Sequence, residues 1–181
     1  MTSFVFLTIM SLIMNGETII FNFNSPSTSG EWTTINDVVM GGVSESKFEF
    51  NSDSTATFWG TVSPDNNGGF ASVRTLLENE FKDFKEVIIR VKGDGNIYNL
   101  RFRTNKNFDG YSYQAKFKTE VEKWIEIKLP FDNFEPVFRG RKVPNQPLLE
   151  SQNIAQAGIL IADEQLGVFN LQISWLKFYK D

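Results

Sequence analysis

Apolar and polar residues alternate with a period of two over much of this chain. In a strand, that period places successive side chains on opposite faces, so each alternating run predicts a half-buried β-strand. The runs lie at 19–23, 47–50, 55–62, 87–91, 98–103, 111–117, 124–129, 157–162 and 168–179. In the last run, Phe169, Leu171, Ile173 and Trp175 are predicted to share one face.

About ten or eleven short strands separated by turns, with no long helix, are typical of an all-β fold. The pattern predicts an antiparallel β-sandwich of jelly-roll type. The segment 132–152 has no clear period and is predicted to be mostly irregular. With 181 residues, the chain fits one domain over 17–181, preceded by a separate segment over 1–16.

Two glycine-rich stretches lie between the first strands. Asn67-Gly68 predicts a tight turn that joins antiparallel strands, because both residues tolerate positive φ. Gly41-Gly42 follows Asp37 and has no such plain hairpin context. It favours either a sharp reversal or a close approach of the backbone to a neighbour or ligand.

Residues 4–14 are apolar over the length of a signal-peptide core, too short for a comfortable membrane span. The best cleavage position follows Gly16, although Met14 stands where a small residue is expected. Three alternatives are open: an export signal, an extra strand or uncleaved anchor, and translation that begins at Met10 or Met14. The first predicts an exported or periplasmic protein. The others predict a cytoplasmic or membrane-associated one, held at a membrane only through residues 4–14.

The composition excludes several classes of function. The chain has no Cys and no His, so disulfides, thiolate or histidine zinc sites and Ser-His triads are excluded. A net charge of -4 provides no overall basic field for nucleic acid. We therefore expect no catalytic residues, no cofactor and no nucleic-acid partner. An enzyme would require two acidic residues to converge in a cleft.

Polar residues beside the glycines are candidates for a binding site. Asn36 and Asp37 could coordinate a hard cation or hold a sugar hydroxyl. Alternatively, one of the two side chains caps its own turn through hydrogen bonds to the backbone. Asp65, Asn66 and Asn67 suggest calcium ligands, but their spacing matches no known ligand loop, which favours a hairpin. No metal site is predicted.

Two groups of arginines are candidates for binding an acidic partner. Arg74, Arg101 and Arg103 suit either a basic wall for a carboxylate or phosphate, or cross-strand pairing with Glu and Asp. The run 139–142, with Arg139 and Arg141, is the most basic patch in the chain. It suits either a binding loop or a solvated charge run.

Exposed aromatic rings would indicate a carbohydrate-binding sandwich, because sugars stack on flat faces. The candidates are Trp32, Trp59, Tyr111 and Tyr113. At alternating strand positions, such residues are more often part of the core.

A set of motifs spread over about residues 19–180 resembles a known family. The set comprises Trp32, Asn36-Asp37, Met40-Gly41-Gly42-Val43-Ser44, Asn66-Asn67-Gly68-Gly69-Phe70-Ala71-Ser72-Val73-Arg74, Leu129-Pro130-Phe131 and Phe138-Arg139-Gly140-Arg141. It is similar to the complex I intermediate-associated protein family of the thirty-kilodalton type. The resemblance implies a galactose-binding-domain-like sandwich. It also implies a chaperone-like factor in the assembly of respiratory NADH:ubiquinone oxidoreductase.

The sequence thus predicts a non-enzymatic protein that presents its loops to a protein partner, with subunits of the respiratory complex implied by the resemblance. The predicted binding residues are Asn36, Asp37, Met40, Gly41, Gly42, Ser44, Asn66, Asn67, Arg74, Arg101, Arg103, Arg139 and Arg141. The alternative is an exported module that binds a glycan or another ligand. Exposure of Trp32, Tyr111 and Tyr113 would favour that alternative.

Overall fold

The computed structural model describes residues 16–23, 31–78, 80–107 and 109–180. Their strands form two antiparallel sheets that enclose one hydrophobic core, so the prediction of an antiparallel β-sandwich is confirmed. The predicted export signal at 4–14 lies outside the described residues. No helix among the described residues is long and apolar enough to cross a membrane.

The first sheet has six strands in the order β3-β4-β13-β6-β9, with β1 paired to β13. These strands are β1 (Glu17–Phe21), β3 (Glu45–Phe50), β4 (Ala56–Val62), β6 (Glu86–Lys92), β9 (Trp124–Pro130) and β13 (Gly167–Tyr179).

The second sheet has seven strands in the order β11-β10-β8-β7-β12-β5-β2. These strands are β2 (Thr33–Thr34), β5 (Ala71–Leu76), β7 (Ile97–Arg103), β8 (Ser112–Lys118), β10 (Glu135–Phe138), β11 (Arg141–Lys142) and β12 (Gln156–Ile161). In the described part of the chain, four short 3₁₀ turns lie between strands, at Asp37–Met40, Asp65–Asn67, Phe131–Asn133 and Ser151–Asn153.

Aromatic rings from both sheets fill the core. Phe102 on β7 packs against Phe178 on β13, and Tyr98 on β7 packs against Phe169 on β13. On β7, the alternation predicted from sequence is observed, since Tyr98, Leu100 and Phe102 are buried. The opposite face of β7 is therefore free to carry polar residues.

On β13, the predicted apolar face breaks at Trp175. Its pairing with β6 shifts register between Ile173 and Trp175, which marks a β-bulge. A bulge adds one residue and reverses which side chains face the core. Leu176 and Phe178 are consequently buried, and Trp175 lies half-buried beneath the Lys177 ammonium.

The predicted hairpin at Asn67-Gly68 is wrong. β4 belongs to the six-stranded sheet and β5 to the seven-stranded sheet, so the chain crosses between sheets there. Gly68 has φ -69°, whereas positive φ falls on Asn66, Asn67 and Gly69, at 56°, 59° and 128°. The turn residues thus lie where the chain passes from one sheet to the other, at one end of the sandwich.

The predicted irregular segment at 132–152 also contains more structure than expected. β10 pairs with both β8 and β11 at one edge of the seven-stranded sheet. Because β10 has four residues and includes Pro136, it provides too little alternation to be recognised from its sequence.

Candidate functional site

A buried carboxylate joins the two glycine-rich stretches. Asp37, which is 1% exposed, opens the 3₁₀ turn that follows β2. Its Oδ1 accepts the Ser44 backbone N–H at 2.9 Å, and its Oδ2 accepts the Ser44 hydroxyl at 2.5 Å. Oδ2 also accepts the N–H groups of Gly69 at 2.7 Å and Phe70 at 3.3 Å.

These hydrogen bonds determine the charge state of Asp37. Burial by itself raises the pKa of a carboxyl group, because it disfavours the charged form. The bonds from Ser44, Gly69 and Phe70 stabilise the carboxylate, and the net result is a pKa below its ordinary value. Asp37 is therefore ionised at neutral pH and holds the two loops together as an anion.

Two glycines make room for this carboxylate. A Cβ on Gly42 would lie 2.4 Å from the Asp37 Cγ, and one on Gly68 would lie 2.6 Å from its Oδ2. Gly41 has a different role, since it ends the 3₁₀ turn at φ 93° with nothing within 4 Å of a Cβ. The Gly41-Gly42 pair thus provides both a reversal and a close approach.

Of the two alternatives predicted for Asn36 and Asp37, the side chain that hydrogen-bonds its own turn describes Asp37, whose Oδ1 accepts the Ser44 backbone N–H. Asn36 does not cap the turn with its side chain, and its Oδ1 accepts the Ser46 hydroxyl instead. The Asp37 oxygens face hydrogen-bond donors from its own chain, which leaves them poorly placed for a cation. Among the described residues, no three candidate acidic ligands come together. Asn66 and Asn67 are exposed at the crossing between sheets.

The turn held by Asp37 exposes apolar side chains, which we call the apolar tip: Val38, Val39, Met40 and Val43. Their exposed fractions are 60%, 65%, 60% and 47%. The local sequence does not predict that these side chains are exposed, because valines are typical of strands, where one face is usually buried. The apolar tip, apart from Met40, was not among the predicted binding residues.

The three strand arginines lie on one face of the seven-stranded sheet. Gly158 on β12 is paired with Arg74 on β5 and with Arg101 on β7. Arg103 lies two residues beyond Arg101 and is paired with Gln156. This polar face, which we call the arginine face, is opposite the core.

Arg101 is the most enclosed of the three arginines. Its Nε and Nη2 both donate to the Ser112 hydroxyl, at 2.9 and 2.6 Å. Burial, together with the like charges of Arg103 and Arg74, lowers the pKa of Arg101 to about 10. Its cross-strand neighbours are Gly158 and Gln114, so the alternative of cross-strand pairing with Glu or Asp does not describe Arg101.

The arginine face also carries a buried amide, Asn99, which was not among the predicted binding residues. Asn99 is 1% exposed, and its Oδ1 has no hydrogen-bond partner among the described residues. The alternation on β7 places Asn99 on the face of Arg101 and Arg103, but it does not show that Asn99 is buried.

The second basic group lies apart from the apolar tip. Arg139 and Arg141 are exposed at the turn between β10 and β11, and Arg139 lies 3.6 Å from the Asp109 carboxylate. Asp109 also acts electrostatically on Arg74 and Arg103. Arg139 therefore borders the arginine face at the end where β7 finishes, whereas Asp37 lies at the end where β5 begins.

The aromatic candidates for sugar stacking are largely covered. Tyr113 is 1% exposed and Tyr111 packs edge-on against it. Trp32 packs against Phe21 and stacks on Phe48. Trp59 lies half-buried on the six-stranded sheet, with the Lys47 ammonium over its ring. These contacts cover the rings, whereas a module that stacks glycans on aromatic side chains is expected to expose them.

The solved structures that resemble this fold include carbohydrate-binding modules and agarases. The Family 11 Carbohydrate-Binding Module from Clostridium thermocellum, in complex with a β-1,3-1,4-mixed-linked tetrasaccharide, superposes with a TM-score of 0.66 at 16% identity. The match covers 92% of this chain and 97% of that one. An agarase matches with a TM-score of 0.61 at 10% identity, over 92% of this chain and 25% of its own. At these identities, the likeness concerns the fold alone.

Sequence comparison gives a more specific result. Complex I intermediate-associated protein 30, mitochondrial, of Mus musculus is 24% identical over 195 residues, which cover 96% of this chain and 59% of that protein. Its Drosophila melanogaster counterpart is 24% identical over 185 residues, which cover 89% and 62%. This chain spans less than two thirds of either relative. The family model described as Complex I intermediate-associated protein 30 (CIA30) matches residues 21–173. The chain belongs to the CIA30 family.

Proposed function

We propose that this chain is a non-enzymatic assembly factor that captures a protein subunit of respiratory complex I through the apolar tip. Its family and the names of its relatives support the choice of partner. The observation that carries the proposal is the set of exposed apolar side chains, Val38, Val39, Met40 and Val43, on a turn fixed by a buried carboxylate.

The apolar tip has the chemistry of a protein contact. Burying one Val or Met side chain contributes about 1.5–3 kcal/mol, so the apolar tip provides a substantial share of a moderate affinity. An apolar surface on an incompletely assembled subunit is the kind of partner that it fits, because such a surface awaits burial in the finished complex.

The turn that carries the apolar tip is held in place by hydrogen bonds. The Asp37 carboxylate, at the start of the turn, accepts hydrogen bonds from Ser44 beyond its end and from Gly69 in the segment that crosses between the sheets. A loop that is already ordered loses less conformational entropy on binding. The hydrogen bonds of Asp37 therefore serve affinity as well as folding.

The absence of catalysis is part of the proposal. Cys and His are absent from the sequence. The enclosed carboxylate Asp37 is ionised and occupied by donors of its own chain, which makes it a poor general acid or base.

Affinity capture tests the proposal. The variant Val38→Ser/Val39→Ser/Met40→Ser removes the apolar tip while leaving Asp37 in place. Leu76→Ser is the matched control, because Leu76 is a 52% exposed apolar residue at the other end of β5. We expect wild type and the control to capture complex I subunits from membranes of the source cells. The triple variant is expected to lose this capture. Equal capture by all three proteins would contradict the proposal.

A further inference from the structure

Arg101 carries an enclosed positive charge that the described residues do not neutralise. Its hydrogen bonds go to the neutral Ser112 hydroxyl, and its cross-strand neighbours Gly158 and Gln114 are neutral. Asp109 acts on Arg74 and Arg103 but is not among the groups that shift the pKa of Arg101. Enclosing a charge without a counter-ion costs free energy, so this position favours an anion that binds from outside.

The guanidinium groups retain hydrogen-bond donors for such an anion. Ser112 occupies Nε and Nη2 of Arg101, and Nη1 donates to no described residue. In Arg103, Nη1 donates to the Gly110 carbonyl at 2.7 Å, and Nε and Nη2 donate to no described residue. Ser112 and Gly110 thus orient the two side chains and leave N–H groups suited to the oxygens of a carboxylate.

Asn99 adds a second and independent indication of a ligand. It lies on the arginine face two residues before Arg101, and its buried Oδ1 has no partner among the described residues. A buried acceptor without a donor costs about 1–3 kcal/mol. A ligand hydroxyl would supply the missing donor.

Gly158 forms the floor between the arginines. It is the β12 residue paired with both Arg74 and Arg101. A Cβ there would lie 2.7 Å from the Val73 carbonyl oxygen and 3.0 Å from the Arg74 Cβ. The strand therefore presents bare backbone between Arg74 and Arg101, because a side chain on Gly158 would collide with β5.

We propose that the arginine face binds a ligand whose carboxylate is held by Arg101 and Arg103 and whose neighbouring hydroxyl donates to Asn99. This is the chemistry of an acidic sugar. Such recognition uses charge and hydrogen bonds, so it does not require the exposed aromatic rings that this chain lacks at its candidate positions. The site is separate from the apolar tip and does not rest on the assembly role.

Isothermal titration calorimetry with three probes tests this site on the full chain. D-galacturonate offers both the carboxylate and the hydroxyls, D-galactose offers hydroxyls alone, and acetate offers a carboxylate alone. We expect galacturonate to bind at least about tenfold more tightly than either of the other two, since a charge-assisted pair contributes more than a neutral hydrogen bond. Absence of galacturonate binding, or equal binding by galactose or acetate, would overturn the proposal.

Variants connect the binding to its residues. Arg101→Gln should reduce galacturonate affinity at least about tenfold. Arg90→Gln is the matched control, because Arg90 lies over Trp124 on the six-stranded sheet. We expect the control to bind galacturonate as wild type does. Equal affinity of Arg101→Gln and wild type would exclude Arg101 from the site.

Gln114→Glu tests the site without removing an arginine. It places a carboxylate directly across from Arg101, where paired Cβ atoms lie about 4.5–5.5 Å apart. An internal anion should satisfy Arg101, raise the Tm and abolish galacturonate binding. A folded Gln114→Glu variant that binds galacturonate as wild type does would overturn the proposal.

Discussion

The carboxylate of Asp37 accepts the backbone N–H of Gly69 at 2.7 Å, across 32 positions of the chain. This bond joins the turn after β2 to the segment that crosses between the two sheets. It explains why glycines accompany both places, since Gly42 and Gly68 leave the space that the carboxylate occupies. The two glycine-rich motifs are therefore parts of one structural unit.

Replacing Asp37 with Asn should destabilise the fold. The side chain keeps its size, but an NH₂ group replaces an acceptor and leaves buried donors of Ser44 or Gly69 unsatisfied. We expect a loss of about 1–3 kcal/mol in the free energy of unfolding, measured by denaturant titration. Asp65→Asn, at an exposed residue of the same crossing, is the control and should stay near the wild-type value. Equal stability of Asp37→Asn and wild type would contradict this role.

The pH dependence of stability gives a second test of Asp37. Its folded pKa lies below the ordinary value of 3.8, so its contribution is complete above the unfolded pKa and is lost as pH falls through the folded pKa. The difference in unfolding free energy between wild type and Asp37→Asn should be constant from about pH 7 to 5 and shrink below about pH 4. A difference that grows on acidification would show the opposite sign of the pKa shift.

The two neighbouring glycines should respond differently to alanine. Gly41→Ala meets open space but a positive φ, which costs about 1–2 kcal/mol. Gly42→Ala should cost more, because its Cβ would lie 2.4 Å from Asp37 and displace the carboxylate. Thermal unfolding of both variants measures the order. A more stable Gly42→Ala than Gly41→Ala would argue against the close approach.

The sequence predicted most strands of this fold but not the unit around Asp37. On β7, burial of one face leaves a period of two that is visible in the residues themselves. Asp37 and Gly69 carry no such local pattern, because their contact depends on how the chain crosses between sheets. The same reason explains the wrong hairpin at Asn67-Gly68, whose turn residues are genuine but whose flanking strands belong to different sheets.

The site residues divide in a similar way. Alternation alone assigns Arg101 and Arg103 to one face of the strand. It does not identify their neutral cross-strand neighbours, because those depend on the register between strands. The exposure of Val38 and Val39 also depends on the turn in which they lie. Family resemblance identified Gly42 without indicating that it makes room for a carboxylate.

The loop that carries Arg139 and Arg141 stays a predicted contact. Changing both to Ala should weaken capture of the protein partner several-fold, if an acidic part of the partner reaches this end of the sheet. The fold should be unaffected, because both side chains are exposed and the Arg139 ion pair with Asp109 lies at the surface. Surface plasmon resonance with a captured partner measures the affinity. Unchanged affinity would remove this loop from the interface.

Site-specific photo-crosslinking in the source cells tests the central claim most directly. A photoreactive phenylalanine analogue replaces Met40 in the apolar tip, and the same analogue at Leu76 provides the control at the other end of β5. Mass spectrometry then identifies the crosslinked proteins. The account predicts that Met40 crosslinks to a subunit of complex I and that Leu76 does not. A Met40 probe that yields no complex I subunit, or the same subunit in equal amount from both positions, would contradict it.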